Sequence, residues 1–171
     1  MTWTRERLLA HLEALEIPYV LYEHPAVFTV EEAREHTGHL PGGHCKSLFL
    51  KDKKGGLWLL VCLDHRRIDM NGLAKALGAP RFSFGKPELL MEVLAITPGS
   101  VTPFALVNDP EHRVRVVLDR AMLDHERLNY HPLTNEATTT IASTDLLRFI
   151  VATGHPHQVL DLDATGAVRA E

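Results

Sequence analysis

Cysteine is scarce in this chain: only Cys45 and Cys62 occur among 171 residues, too far apart for a CxxC motif. That argues against a disulfide-stapled scaffold and fits a reducing cytoplasm. Long hydrophobic runs are missing as well. No apolar stretch approaches the roughly 20 residues that a membrane span needs. The N-terminus, Met1-Thr2-Trp3-Thr4-Arg5-Glu6, leads into a charged amphipathic pattern and not a signal peptide. There is no internal repeat, low-complexity tract or linker, so the length predicts a single domain over residues 1–171 with one well-buried core. Nor is positive charge in excess: the net charge of -4 argues against a surface that coats nucleic acid broadly.

Several catalytic signatures are absent too. No Gly-x-Ser-x-Gly nucleophile elbow occurs. Eleven histidines invite a metal, yet His36, His39 and His44 with Cys45, and the pair His155 and His157, lack a recognised zinc spacing. His125-Glu126 is followed next by His131, which is not the HExxH pattern. Lys46-Ser47 follows glycines as in a phosphate-binding loop, but Cys45 replaces the glycine before the lysine and a strand follows instead of a helix. Cys62 lies within an apolar run and reads as core. No metal and no cofactor are expected.

What is present is an uneven charge distribution. Residues 44–86 carry nine Lys/Arg against three acids, a balance of +6 that leaves -10 on the rest of a chain totalling -4. A basic sector on an acidic protein suits one phosphate-rich ligand, although a set of solvated lysines reads the same way. Periodicity and caps predict the elements. Leu8, Leu12 and Leu15 after Thr4 predict a first helix closed by Pro18, then a strand over Tyr19–Glu23. Thr29 with Glu32 is a capping box for a helix ending near Gly38. Lys46–Lys51 and Leu57–Leu63 predict a strand pair around Lys53-Lys54-Gly55-Gly56. Asn71 is a candidate cap for a helix to Leu77, and Pro87 opens another to Leu94. Strands are predicted at Phe104–Val107, Val114–Leu118 and Ala137–Ala142, and a last helix from Ser143 or Thr144 to Val151. The fold class expected is α+β (mixed α/β), with a central, mostly antiparallel sheet flanked by short helices.

Three segments carry chemistry. In Thr97-Pro98-Gly99-Ser100-Val101-Thr102-Pro103-Phe104-Ala105-Leu106, Pro98 fixes φ and Gly99 permits a positive φ. Such a turn leaves consecutive N–H groups facing one space, a nest for an oxyanion, or it is a plain surface turn. In Lys46-Ser47-Leu48-Phe49-Leu50-Lys51-Asp52, a lysine at the start of an apolar strand is either an edge-strand charge or a cation projected into a pocket. In Asn129-Tyr130-His131-Pro132-Leu133-Thr134-Asn135, His131 is a structural hydrogen-bonding group or a pocket residue.

Together these segments resemble the bacterial prolyl-tRNA editing superfamily, the editing domain of bacterial prolyl-tRNA synthetases and its free-standing YbaK and ProX relatives. The resemblance runs from about Pro18 to about Val151 and is strongest to the ProX type, the free-standing alanyl-tRNA(Pro) deacylase. It implies hydrolysis of the ester joining an amino acid to the 3′ end of tRNA. Lys46 aligns with the central catalytic lysine, and Gly99 and Ser100 are candidates for the oxyanion amides. The His-Pro-Leu motif places His131 in the pocket, holding the amino group or positioning water. Asparagine commonly follows the lysine in ProX-type members; Ser47 stands there in this chain, which bears on substrate contacts and not on the fold. A small pocket that admits alanine and excludes proline is expected around Val27, Phe28, Thr29, Ser47, Thr97, Pro98, Val101 and Thr102. Lys51, Arg66, Arg67 and Arg81 are candidates for contacting tRNA. The partner the resemblance implies is tRNA, with tRNA(Pro) the species expected and prolyl-tRNA synthetase or an elongation factor as candidate deliverers. The alternatives are a deacylase of cysteinyl- or another misacylated tRNA, and a tRNA-binding module without turnover.

Overall fold

A computed structural model describes residues 2–169 of the chain. Eight strands form one sheet in the order β1-β7-β6-β2-β3-β5-β8, with β4 also paired to β2. The strands are β1 (Val20–Glu23), β2 (Gly43–Asp52), β3 (Leu57–Leu63), β4 (Phe82–Phe84), β5 (Val114–Asp119), β6 (Arg127–Tyr130), β7 (Ala137–Ala142) and β8 (His157–Leu160). Four pairings are antiparallel (β1 with β7, β2 with β3, β2 with β4, β6 with β7) and three are parallel. The mixed α/β expectation therefore holds. The helices are α1 (Arg5–Ala14), α2 (Val30–Thr37), α3 (Met70–Leu77), α4 (Pro87–Leu94), α5 (Arg120–Leu123) and α6 (Ser143–Thr153).

Local chemistry starts and stops these elements where residues dictate it. The Thr4 hydroxyl accepts from Arg7 N–H and the Thr29 hydroxyl from Glu32 N–H, each at 3.1 Å, satisfying donors that a first turn leaves open. Pro87 sits in the first turn of α4, where no intrahelical donor is needed. Asp69, and not Asn71, caps α3, because its carboxylate reaches both Asn71 and Gly72 N–H. The last helix begins at Ser143 as expected, with Ala142 at the cap position and no side-chain cap bond there. The predicted strand at Phe104–Val107 is a 3-10 helix, Pro103–Asn108. Thr102 accepts from Phe104 N–H and Pro103 sets the first φ, so local capping overrides the apolar run.

β3 is buried along its whole length, and its alternation feeds two cores. Leu57, Leu59, Val61 and Leu63 pack with Phe104, Phe149, Leu8 and Leu12, whereas Trp58, Leu60 and Cys62 pack with Leu73, Phe82 and Leu162. β2 is the longest strand and the hinge of the sheet. Its first residues pair in parallel with β6, Lys46 lies opposite Cys62 of β3, and its far end also pairs with β4. Gly42 enters it with φ +95°, packed against the Arg127 carbonyl where a Cβ would collide. Among the described residues no helix is long and apolar enough to cross a membrane.

Away from that seam, a buried polar knot closes the β5 end. His155, 3 % exposed, sits with Nε2 2.9 Å from the Asp109 carboxylate, which also accepts from the Arg113 and Val114 amides. Burial holds the His155 pKa below the ordinary 6.5 and outweighs the opposing pull of Asp109. Burial lowers His11, His44 and His131 in the same direction. A base whose folded pKa is depressed binds its proton more readily unfolded, so the stability it confers is whole above the unfolded value and lost below it. The urea midpoint is therefore expected to hold steady above pH 6.5 and to fall as pH drops through 6.5 towards the folded-state values. Urea titrations at several pH values check this; a midpoint that rises on acidification through that window would contradict it.

Candidate active site

A cavity of about 290 Å³ opens beside the first half of β2. β2 lends Cys45, Lys46, Ser47 and Leu48 to its wall. The turn after α4 lends Pro98, Gly99 and Val101; the segment before α2 lends Val27, Phe28 and Thr29, and α2 itself Val30 and Ala33; His131 and Asp64 complete it. A smaller chamber of about 40 Å³ adjoins it and shares Ala33, Cys45, Ser47, Asp64, Val101 and His131, adding Thr138, Tyr130 and Arg34. The three segments singled out in the sequence thus meet round one space.

Lys46 is half-buried, and its ammonium donates to the backbone carbonyl of Arg66 in the turn after β3. That bond fixes the cation on the cavity wall. Lys46 therefore stands at the cavity with its ammonium bound, on a stretch of β2 that is laddered only to β3. His131 Nδ1 lies 3.0 Å from the Ala137 carbonyl, which makes Nδ1 the protonated nitrogen and leaves Nε2 with a lone pair. Burial lowers the His131 pKa, so the ring is neutral at physiological pH. Its neighbour His24, with ring centres 6.2 Å apart, is bound through Nε2 to the Thr138 hydroxyl and stacks on His36.

The turn Pro98–Ser100 is a single 3-10 turn. Gly99 does not use a positive φ. Glycine serves close approach instead, since a Cβ would sit 3.3 Å from both the Phe28 ring and Asn135 Nδ2. The Ser100 amide is spent on the Thr97 carbonyl at 2.9 Å, so it is not an available oxyanion donor. The Gly99 and Val101 amides have no acceptor among the described residues, and both residues line the cavity. Ser100 and Thr102 are buried behind it, and Thr97 stands outside its lining. Phe28 is 71 % exposed and forms part of the rim.

Arg66 also departs from its expected place. Its guanidinium is gripped by Asp119 and Asp163, with the side chain only 10 % exposed, so it is not a free cation for RNA. Lys51, Arg67 and Arg81 are exposed and make no ion pair among the described residues.

Two features escaped the sequence. Asp64 looked like one acid in a basic sector, yet it lies buried in the cavity wall, bound through both oxygens to Arg34 of α2 at 2.6 and 2.8 Å. Asn135 ends the Asn129–Asn135 segment. Its side chain donates to the Val27 carbonyl at 2.9 Å and its carbonyl accepts from Val27 N–H, pinning the segment before α2 against Gly99. Neither partner is near in sequence, so no local signal announces the pairing.

A family model described as aminoacyl-tRNA editing domain matches residues 24–149. The chain belongs to the aminoacyl-tRNA editing domain family. Two relatives match over most of their length and of this chain. Prolyl-tRNA synthetase associated domain-containing protein 1 of Bos taurus is 43% identical over 164 residues, covering 93% of this chain and 95% of that one. The prolyl-tRNA editing protein ProX of Acetoanaerobium sticklandii is 32% identical over 159 residues, covering 92% and 97%. Among solved structures, a candidate trans-editing enzyme for prolyl tRNA synthetase shares the fold with a TM-score of 0.70 at 24% identity over the full length of both chains.

The Arg34–Asp64 pair is the tie between α2 and the sheet at this editing-domain cavity. Arg34→Ala strands a carboxylate that is 8 % exposed. Loss of one partner from a fully buried pair costs about 3–5 kcal/mol. Arg34 is itself 47 % exposed, so a cost of about 1–3 kcal/mol is expected. Chemical denaturation measures it, and Arg34→Lys, lacking the two-pronged fork, should recover only part.

Proposed function

We propose that the protein is a trans-editing hydrolase that removes alanine from mischarged alanyl-tRNA(Pro). The observation that carries the reading is the convergence of the Lys46 ammonium, the unpaired Gly99 and Val101 amides and neutral His131 on one cavity. The names of its relatives point to prolyl-tRNA, and the family to aminoacyl-tRNA.

The chemistry asked of the site is modest. An aminoacyl ester is already activated, so no covalent nucleophile is required. The Gly99 and Val101 amides receive the charge that grows on the carbonyl oxygen as water adds. One such donor is typically worth about 100- to 1,000-fold in rate. Lys46 supplies a fixed positive charge beside the same oxygen or the terminal ribose phosphate. His131, acceptor at Nε2, orients the attacking water or the amino group; the 2′-hydroxyl of the terminal adenosine is a second group able to hold that water. When the tetrahedral adduct collapses, the C–O bond to the ribose breaks and the released 3′-oxygen takes a proton from solvent.

Selectivity rests on size. Each methylene that a synthetase pocket must sense is worth only about 1–3 kcal/mol, so a proline site admits alanine. A second site closes the gap by excluding proline. The 40 Å³ chamber behind Val101, Ser47 and His131 has room for a methyl group or a few waters, at about 10–15 Å³ of such volume per water. Exposed Lys51, Arg67 and Arg81 are the cations of this reading for acceptor-stem phosphates.

The deciding assay follows deacylation of alanyl-, cysteinyl-, seryl- and prolyl-tRNA(Pro) by the wild type and by Lys46→Ala. Loss of alanine with proline spared, slowed at least 100-fold in the variant, is expected. Preference for cysteine or serine would redirect the specificity, and binding without hydrolysis of any of the four would refute catalysis. A pH profile adds an independent check. If neutral His131 is required, the acid limb of kcat/KM lies below pH 6.5, because burial has lowered that pKa. An acid limb above 6.5 would remove His131 from the role.

A further inference from the structure

The Lys46 ammonium is anchored to a backbone carbonyl, that of Arg66, and the position of that carbonyl is not left to the turn alone. The Arg66 guanidinium is held on two sides. Nε and Nη2 donate to Asp119 at 3.2 and 3.4 Å, and Nη1 and Nη2 donate to Asp163 at 2.6 and 2.9 Å. Asp119 is fully buried at the end of β5 and is fixed in turn by the Leu63 and Ala121 amides. Asp163 belongs to the segment that follows β8. That segment returns along the Arg66–Asp69 turn: Ile68 bridges Val168, Arg169 N–H donates to the Arg67 carbonyl at 2.7 Å, and Asp69 N–H to the Ala167 carbonyl at 2.9 Å. Leu162, wholly buried in the second core, nails its base.

We propose that residues 161–169 act as a strap that sets the catalytic lysine, with Asp163 and Arg66 as positioning residues working through the Arg66 carbonyl. This rests on the reading of Lys46 as the catalytic cation and extends it to a part of the chain beyond residues 24–149, the span matched by the editing-domain model. A planar guanidinium bridging two carboxylates has one orientation, and its backbone moves with it. With the strap in place, the carbonyl meets Lys46 at one point on the cavity wall. Without it, the Arg66 turn keeps Asp119 but loses its outer restraint, and the ammonium gains freedom it must give up in every turnover. Displacement of a reacting group by an ångström costs on the order of 100-fold. Partial loosening is expected to cost about tenfold.

The test uses the full chain with Asp163→Asn, Asp163→Glu and Arg66→Lys. Asp163 is 61 % exposed, so its replacement leaves the buried Arg66–Asp119 pair intact and the protein folded. For Asp163→Asn the expected result is a kcat about tenfold lower with KM for aminoacyl-tRNA within about twofold of wild type, restored by Asp163→Glu. Arg66→Lys, which keeps a cation but not the fork, should lower kcat at least as far. A raised KM with kcat retained would make Arg66 or Asp163 an RNA contact and overturn the proposal. So would a lowered melting midpoint with both constants unchanged. A second readout is independent of turnover. The Lys46 side-chain ammonium resonance, assigned by its loss in Lys46→Ala, should shift in Asp163→Asn. An unmoved resonance refutes the strap whatever the enzyme hydrolyses. A moved resonance in a protein that deacylates nothing keeps the strap and refutes only the catalytic reading.

Discussion

Everything at the candidate site hangs on the hydrogen-bond ladder of β2. This strand pairs in parallel with β6 at its start, runs antiparallel to β3 through its length, and takes β4 alongside its end. Among the described residues it alone connects the β1-β7-β6 side and the β3-β5-β8 side of the sheet order. Lys46 stands just past the point where β6 leaves off and opposite Cys62. At Lys46 the strand is laddered to β3 alone, so the cation is held by that pairing and by its bond to the Arg66 carbonyl. A side chain on a surface loop would have to be ordered at each encounter, and ordering a long flexible chain costs about 1.5–2 kcal/mol.

Three of the ionisable groups at the cavity already hold a partner within the fold. Asp64 is bound by Arg34, the Lys46 ammonium by a carbonyl, and His131 by the Ala137 carbonyl. Each contact spends one hydrogen-bonding capacity and leaves another open. Lysine retains two of its three donors, and histidine retains its Nε2 lone pair. Such half-satisfied groups are oriented before a ligand arrives, and that is what makes fixed dipoles more effective than water at a developing charge.

Local signals carried the elements; non-local pairing hid much of the site. Thr4, Thr29, Pro87 and Gly78 mark helix ends because caps act within four residues. The β2–β3 hairpin was legible from its Lys-Lys-Gly-Gly turn. β4, β6 and β8, of three or four residues each, were not predicted: strands this short carry little periodicity, and β4 and β8 pair with partners far along the chain. The run Phe104–Val107 misled because four apolar residues look alike in a strand or a 3-10 turn, and the decision lay with Pro103 and Thr102. At the site, Lys46, Gly99 and His131 were found from their segments, and the cavity gathers them. Ser100 was misassigned because the direction of an amide depends on which carbonyl it finds. Arg66 was misassigned because a sequence shows a charge but not the two carboxylates that consume it.

Charge counting therefore needs correcting before it is used to argue about partners. The basic sector at residues 44–86 contributes fewer free cations than its sequence balance implies. Lys46 is tied to a carbonyl and Arg66 to two acids. One of those acids, Asp163, comes from outside the sector, and Asp119 does too. The cations that remain exposed and unpaired, among them Lys51, Arg67 and Arg81, lie on strand ends and turns around the cavity-bearing strand, where long side chains reach solvent. Exposed charges of this kind attract a polyanion over a distance of about a Debye length, near 8 Å at physiological salt, without locking its position. Position must then come from the cavity itself. For the proposed function this divides the work: attraction falls to exposed lysines and arginines on the surface, and placement to the few charges that the fold holds by hydrogen bonds.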